Sequence, residues 1–143
     1  MALRRALSLL VLAACLAGCG KLREECRAVV ATANAFIAES EKNRTKGTAQ
    51  GPEATAREAR ALAERYDKLA TDLGALTIES EDLAGEVAAY RKLALSAATS
   101  LRAAATALEN KDWETARKKR VEFDEAARGE SPLVARINAV CKG

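Results

Sequence analysis

The amino-acid sequence predicts an all-α protein, and two observations predict it. Of 143 residues, 49% are hydrophobic, 30% charged and only 3% aromatic, and two prolines and eight glycines leave long runs rich in Ala, Leu, Glu, Lys and Arg. These residues lose little side-chain freedom in a helix and are its strongest formers. The second observation is periodicity: four or five segments repeat apolar residues at spacings of three and four, which gives a helix one face to bury. The balance of apolar and charged residues fits one folded domain.

Residues 22–43 place Leu22, Cys26, Val29, Val30, Ala33, Phe36 and Ile37 on one stripe, so the spacing predicts a first helix with Cys26 on its core face. Residues 44–52 are polar and hold Gly47, Gly51 and Pro52, the composition of a loop. A second helix over 53–73 repeats Ala59, Leu62, Ala63, Tyr66, Leu69, Ala70 and Leu73, with Glu53–Arg57 and Glu64–Lys68 at the favourable i,i+4 spacing outside. Gly74 is the expected stop, and residues 74–79 form a short link from which Leu76 and Ile78 fold back.

Ser80 is the expected cap of a third helix over 81–109, whose seam runs Leu83, Val87, Tyr90, Ala94, Ala97, Leu101, Ala104 and Leu108. Its alanines predict close helix approach. Asn110 and Lys111 make a turn, and Asp112 caps a fourth helix carrying Trp113, Ala116, Phe123 and Ala127 inward to residue 128. Gly129 interrupts it. Ser131-Pro132 has the form of a cap and a first helical position, so a last piece with Leu133, Val134, Ile137, Val140 and Cys141 begins there, either as the far half of a kinked fourth rod or in a fifth direction.

The amino terminus follows other rules. Arg4 and Arg5 precede a stretch of about a dozen apolar residues, broken only by Ser8, the layout of a secretory signal peptide and too short for a membrane-spanning helix. Leu16-Ala17-Gly18-Cys19 then resembles the lipobox of bacterial lipoproteins at all four positions. The resemblance implies removal of residues 1–18, a diacylglycerol on the thiol of Cys19 and acylation of the new amino terminus, and two or more acyl chains make a stable anchor. Gly20 stands where an aspartate favours retention in the inner membrane, so the resemblance points to the periplasmic face of the outer membrane. The plain alternative is a secreted protein cut after Ala17 with Cys19 as an ordinary thiol.

On the lipoprotein reading, Cys15 leaves with the signal peptide and Cys19 carries lipid, which leaves Cys26 and Cys141 in an oxidising compartment. A structural disulfide is the default there. The alternative, a redox pair, lacks a Cys-x-x-Cys arrangement and a basic setting to lower a thiol pKa. Such a bond requires the start of the first helix and the end of the last to meet. An up-down-up-down four-helix bundle with a kinked last helix satisfies this, whereas a three-helix bundle puts the two at opposite ends. The expected organisation is therefore a signal peptide over 1–18, a lipidated terminus and short tether over 19–25, and a helical domain over 26–143. Fully extended, the tether spans about 23 Å, so the disulfide end sits near the lipid. The far tip carries the 44–52 loop, with Arg44 and Lys46, and Trp113.

Absent chemistry narrows function further. There is no histidine, and the one methionine is Met1, so haem, copper, most zinc sites, di-iron Glu-x-x-His pairs and Ser-His-Asp relays lose their usual groups. No P-loop or Gly-x-Gly-x-x-Gly run occurs, and the plentiful carboxylates fall mostly on faces opposite the apolar stripes. No cofactor and no enzyme activity are expected. After loss of residues 1–18, 21 basic side chains stand against 20 acidic ones, and the run Arg117-Lys118-Lys119-Arg120 points around a whole helix circumference beside Glu114, Glu122, Asp124 and Glu125. That is a solvated face rather than a nucleic-acid stripe. Arg120 falls on the apolar stripe and is expected to snorkel, Trp113 to anchor the core near a bundle end, and Tyr66 and Tyr90 to be core residues. Two functions fit: a lipid-anchored envelope protein that binds or positions a protein partner through Trp113, Arg44 and Lys46, or a carrier that holds a small apolar ligand in the bundle seam.

Overall fold

The computed structural model describes the backbone of residues 2–44 and 51–142 and the side chains of residues 20–42 and 51–142. Lys46 lies outside the described residues, as do the side chains of Cys19 and Arg44. Four helices account for the fold: α1 Ala2–Arg44, α2 Pro52–Ala75, α3 Glu81–Glu109 and α4 Trp113–Lys142. They form a four-helix bundle in which each helix packs on its sequence neighbours and α4 returns to α1, the arrangement an up-down-up-down path dictates. Cys26 and Cys141 are bonded, with Cα atoms 5.8 Å apart.

Helix α1 is longer than the periodicity of 22–43 predicts, because the Ala- and Leu-rich stretch before it is itself helix-forming and contains no proline. The seven-residue step from Cys19 to Cys26 is helical and about 10 Å long, shorter than the extended tether. Helix α2 begins with Pro52 at its first position, where the missing N–H costs nothing, after Gly51 at φ 89°. It ends at Ala75, one residue past Gly74. The chain turns at Leu76, and Gly74 also gives α3 room: a Cβ there meets the Arg91 guanidinium at 3.0 Å. Outside, Lys68 pairs with Asp72 rather than Glu64.

Two caps differ from each other. Ser80 makes no side-chain cap bond; the buried carboxylate of Glu25, reaching from α1, accepts the Glu79 and Ser80 amides at 2.9 and 3.3 Å. A negative group there also favours the positive end of the α3 dipole. Asp112 does cap α4, its Oδ1 accepting the Thr115 amide at 3.0 Å. Between α3 and α4, Lys111 takes φ 57°, and its amide and that of Asp112 close back onto Leu108 and Ala107 carbonyls in a Schellman turn.

Helix α4 passes through Gly129, Ser131 and Pro132 without a break, which corrects the expected interruption and removes the fifth direction. Pro132, having no N–H, gives up the bond to the Arg128 carbonyl, while buried Leu133 and Ile137 hold the following turns to the bundle. Gly129 lets α3 come close, since a Cβ there lies 3.3 Å from Leu93 Cδ1. The core is built on α3, where Leu83, Tyr90, Ala94, Ala97, Ala98 and Ala105 are all at most 1% exposed. Arg102–Asp67, Arg60–Glu109 and Arg136–Glu86 pairs tie its flanks to α2 and α4, and as exposed pairs they set register more than stability.

Candidate functional site

Helix lengths differ between the first and last helices. Counting from the disulfide, α1 has 18 steps to its end at Arg44, about 27 Å, whereas α4 has 28 steps back to Trp113, about 42 Å. Helix α1 therefore ends roughly 15 Å, or three helical turns, short of the start of α4. Over that length α2 and α4 flank α3 beyond the end of α1, where the chain continues into residues 45–50, outside the described residues. An apolar cleft of about 820 Å³ lies there.

The floor of the cleft is Leu101, Ala104 and Leu108 of α3. One wall is Ala59, Ala61, Leu62 and Arg65 of α2, with Thr55 and Glu58 toward the tip; the other is Trp113, Ala116, Arg117, Arg120 and Phe123 of α4. Ser40, near the end of α1, closes the inner end. Phe36 packs tilted against Tyr66 with ring centroids 4.8 Å apart, and the Tyr66 ring meets Phe123 edge-on at 6.0 Å. The small alanines on all three helices create the volume, since each leaves unfilled what a Leu would occupy.

The polar groups of the cleft are unevenly satisfied. Arg65 Nε and Ser40 Oγ are buried without hydrogen-bond partners, which is uncommon in a folded chain. Arg120 pairs with Asp124 at 3.1 Å, and Arg117 makes no ion pair among the described residues. Arg65, Arg117 and Arg120 thus stand against the single carboxylate of Glu58 among the lining side chains.

A second groove of about 570 Å³ runs between α1 and α4 nearer the disulfide, with Tyr90 at its base. The Tyr90 hydroxyl donates to Glu130 at 2.5 Å, and burial, then that hydrogen bond, push its phenol well above the ordinary range. Burial, followed by the charge of Glu130 and opposed by Arg65, pushes Tyr66 up to about 12. Both phenols stay protonated near neutrality and act as packing and hydrogen-bonding groups.

The residues singled out from sequence fare differently. Trp113 is not a core anchor: as the first residue of α4 it lines the cleft and stands 52% exposed. Arg120 lines the cleft beside Ala116 and Phe123 and carries its guanidinium out to Asp124 at 3.1 Å. Of the α1 stripe, Cys26 and Val29 are buried, while Val30 and Ile37 are 41% and 48% exposed. Arg44 ends α1 at the cleft side of the bundle. Sequence reasoning missed Arg65 and Ser40; the signal that finds the cleft is the unequal distance of Asn43 and Trp113 from the paired cysteines.

Among the described residues no cluster of acidic or cysteine side chains is placed to hold a metal ion, and no helix is long and apolar enough to cross a membrane. The chain matches no protein-family model, no curated protein and no solved structure.

Proposed function

We propose that this chain is a non-catalytic, lipid-anchored binding protein of the bacterial envelope that holds its receiving surface, the distal cleft, away from the membrane. Anchoring rests on the likeness of Leu16-Ala17-Gly18-Cys19 to a lipobox, with Cys19 as the lipidated residue and the periplasmic face of the outer membrane as its place. The observation that carries the reading is the polarity of the bundle: the Cys26–Cys141 bond marks the end nearest Cys19, and the cleft opens at the other. An anchored protein meets partners with its far end.

Two occupants follow from that geometry. One is a protein partner positioned at the membrane surface, for which the half-exposed Trp113 is a suitable anchor. The other is a small apolar ligand, and the cleft favours it, because its volume lies in the range of small-molecule sites and its floor is wholly apolar.

Crosslinking in intact cells followed by pull-down, comparing the wild type with Cys19→Ala, tests the partner; native mass spectrometry of the same material tests the ligand. A protein captured only from the anchored form supports the first occupant, and a bound small molecule supports the second. Capture of neither contradicts a binding role.

A further inference from the structure

We propose that the groove between α1 and α4 binds an organic ammonium ion with an apolar body, its head between Glu130 and Glu41 and its body running toward the disulfide. The groove holds about 570 Å³ and meets the distal cleft only at Ser40, which lines both, so it is a separate site. Its lining residues are all described, and those on α1 all precede Arg44. Past Arg44 the chain leads to α2, on the opposite flank of α1 from α4.

The path of the chain builds this groove. The Cys26–Cys141 bond holds α1 and α4 together at one end, yet these two helices pack on each other less than any other neighbouring pair in the bundle. Between them the groove reaches the α3 core at Tyr90, which is 1% exposed, while Val30 and Ile37 of α1 stay half-exposed beside it. With Phe36 and Val134 they give an apolar body a bed whose volume lies in the range of small-molecule sites.

Charge decides the ligand. Glu41 and Glu130 are the charged side chains lining the groove, with no lysine or arginine beside them. Neither makes an ion pair among the described residues. Glu130 Oε1 accepts the Tyr90 hydroxyl at 2.5 Å, which orients the carboxylate; Oε2 has no hydrogen-bond partner among the described residues and remains accessible. Counting from the disulfide, Glu130 stands 11 steps along α4 and Glu41 15 along α1, about 16 and 22 Å. Val30 and Val134 stand 4 and 7 steps away, about 6 and 10 Å. Acid therefore lies at one end of the groove and apolar surface at the other. An ammonium brings three donors and a full positive charge to the acidic end, where a carboxylate head would be repelled. The groove thus selects sign as well as shape.

Photo-crosslinking with a diazirine-bearing decylamine, on membranes holding the full chain, tests this, with adducts located by peptide mass spectrometry. Adducts are expected on residues 29–41 and 127–138. Excess decylamine should suppress them, whereas decanoate of equal chain length should not. Glu130→Gln keeps an acceptor for Tyr90 but removes the charge, and should lower the yield at sub-saturating probe about tenfold, the share of one charge-assisted hydrogen bond. Ile37→Lys, at an exposed position, puts a competing ammonium into the groove and should lower the yield as far. Melting of each variant establishes that it folds; should Glu130→Gln not fold, Ile37→Lys and the decanoate comparison carry the test.

Adducts confined to residues 2–25, or to the cleft residues 55–65 and 113–123, would overturn the inference. So would equal suppression by decanoate, or a yield unchanged in the variants that fold.

Discussion

Breaking the Cys26–Cys141 bond should destabilise the bundle by several kcal/mol and release α1 first. The bond closes a loop with a sequence separation of 115, for which the loss of chain entropy in the unfolded state gives about 5 kcal/mol as an upper figure. The helix it holds is also the one with least burial: below its free end, Val30 and Ile37 face outward and Val29 supplies the fully buried contact. The assay is urea unfolding of the oxidised protein, the reduced protein and the Cys26→Ser/Cys141→Ser variant. With a urea slope of about 2 kcal/mol per molar, a loss of about 4 kcal/mol moves the midpoint by about 2 M. Amide exchange should then show α1 losing protection before α3. A loss below about 1 kcal/mol, or α3 opening before α1, would refute the reasoning that the bond secures a lightly packed helix.

Other substitutions follow from the same geometry. Gly85 is an exposed residue inside α3, and a Cβ added there would meet nothing within 4 Å, so Gly85→Ala should stabilise by about 1 kcal/mol and raise the Tm by a few degrees. Glu25→Ala removes the acceptor of two amides at the start of α3 and should cost about 1–3 kcal/mol in chemical denaturation, whereas Lys21→Ala, which loses only an exposed pair with Glu79, should change little. Alkali should act through the phenols. A group whose pKa is raised on folding gives stability that is complete below its unfolded value near 10 and lost as pH rises through the folded value, about 12 for Tyr66, with Tyr90 shifted the same way. Urea midpoints should therefore hold at pH 9 and fall by pH 11, and a midpoint that rises instead would contradict the burial of these rings.

The helices were legible in the sequence because each carries its own period, and the seam of α3 from Leu83 to Leu101 is buried as the spacing predicts. The topology was legible from two cysteines. Punctuation was less so. Gly129 and Ser131-Pro132 carry the local marks of helix ends, yet each lies inside a helix, because packing overrides a propensity of about 1 kcal/mol per glycine when the flanking turns are buried. At Gly74 and Gly129 the missing side chain serves a neighbour across the interface, Arg91 and Leu93, which no single segment reveals. Ser80 holds the cap position of α3 as expected but makes no side-chain cap bond, and the carboxylate of Glu25 from another helix instead accepts the amides of Glu79 and Ser80 just before it. Trp113 was misjudged because its stripe was read as buried along its whole length, whereas its first residue lines the cleft half-exposed.

The measurement that bears most directly on lipid anchoring is the intact mass of the protein extracted from membranes. The expected species is a chain beginning at Cys19, heavier than its sequence by a diacylglycerol and a further acyl group, with the Cys26–Cys141 bond in place. A chain that retains residues 1–18, or one with an unmodified Cys19, would contradict anchoring and leave the distal cleft without a membrane to face away from.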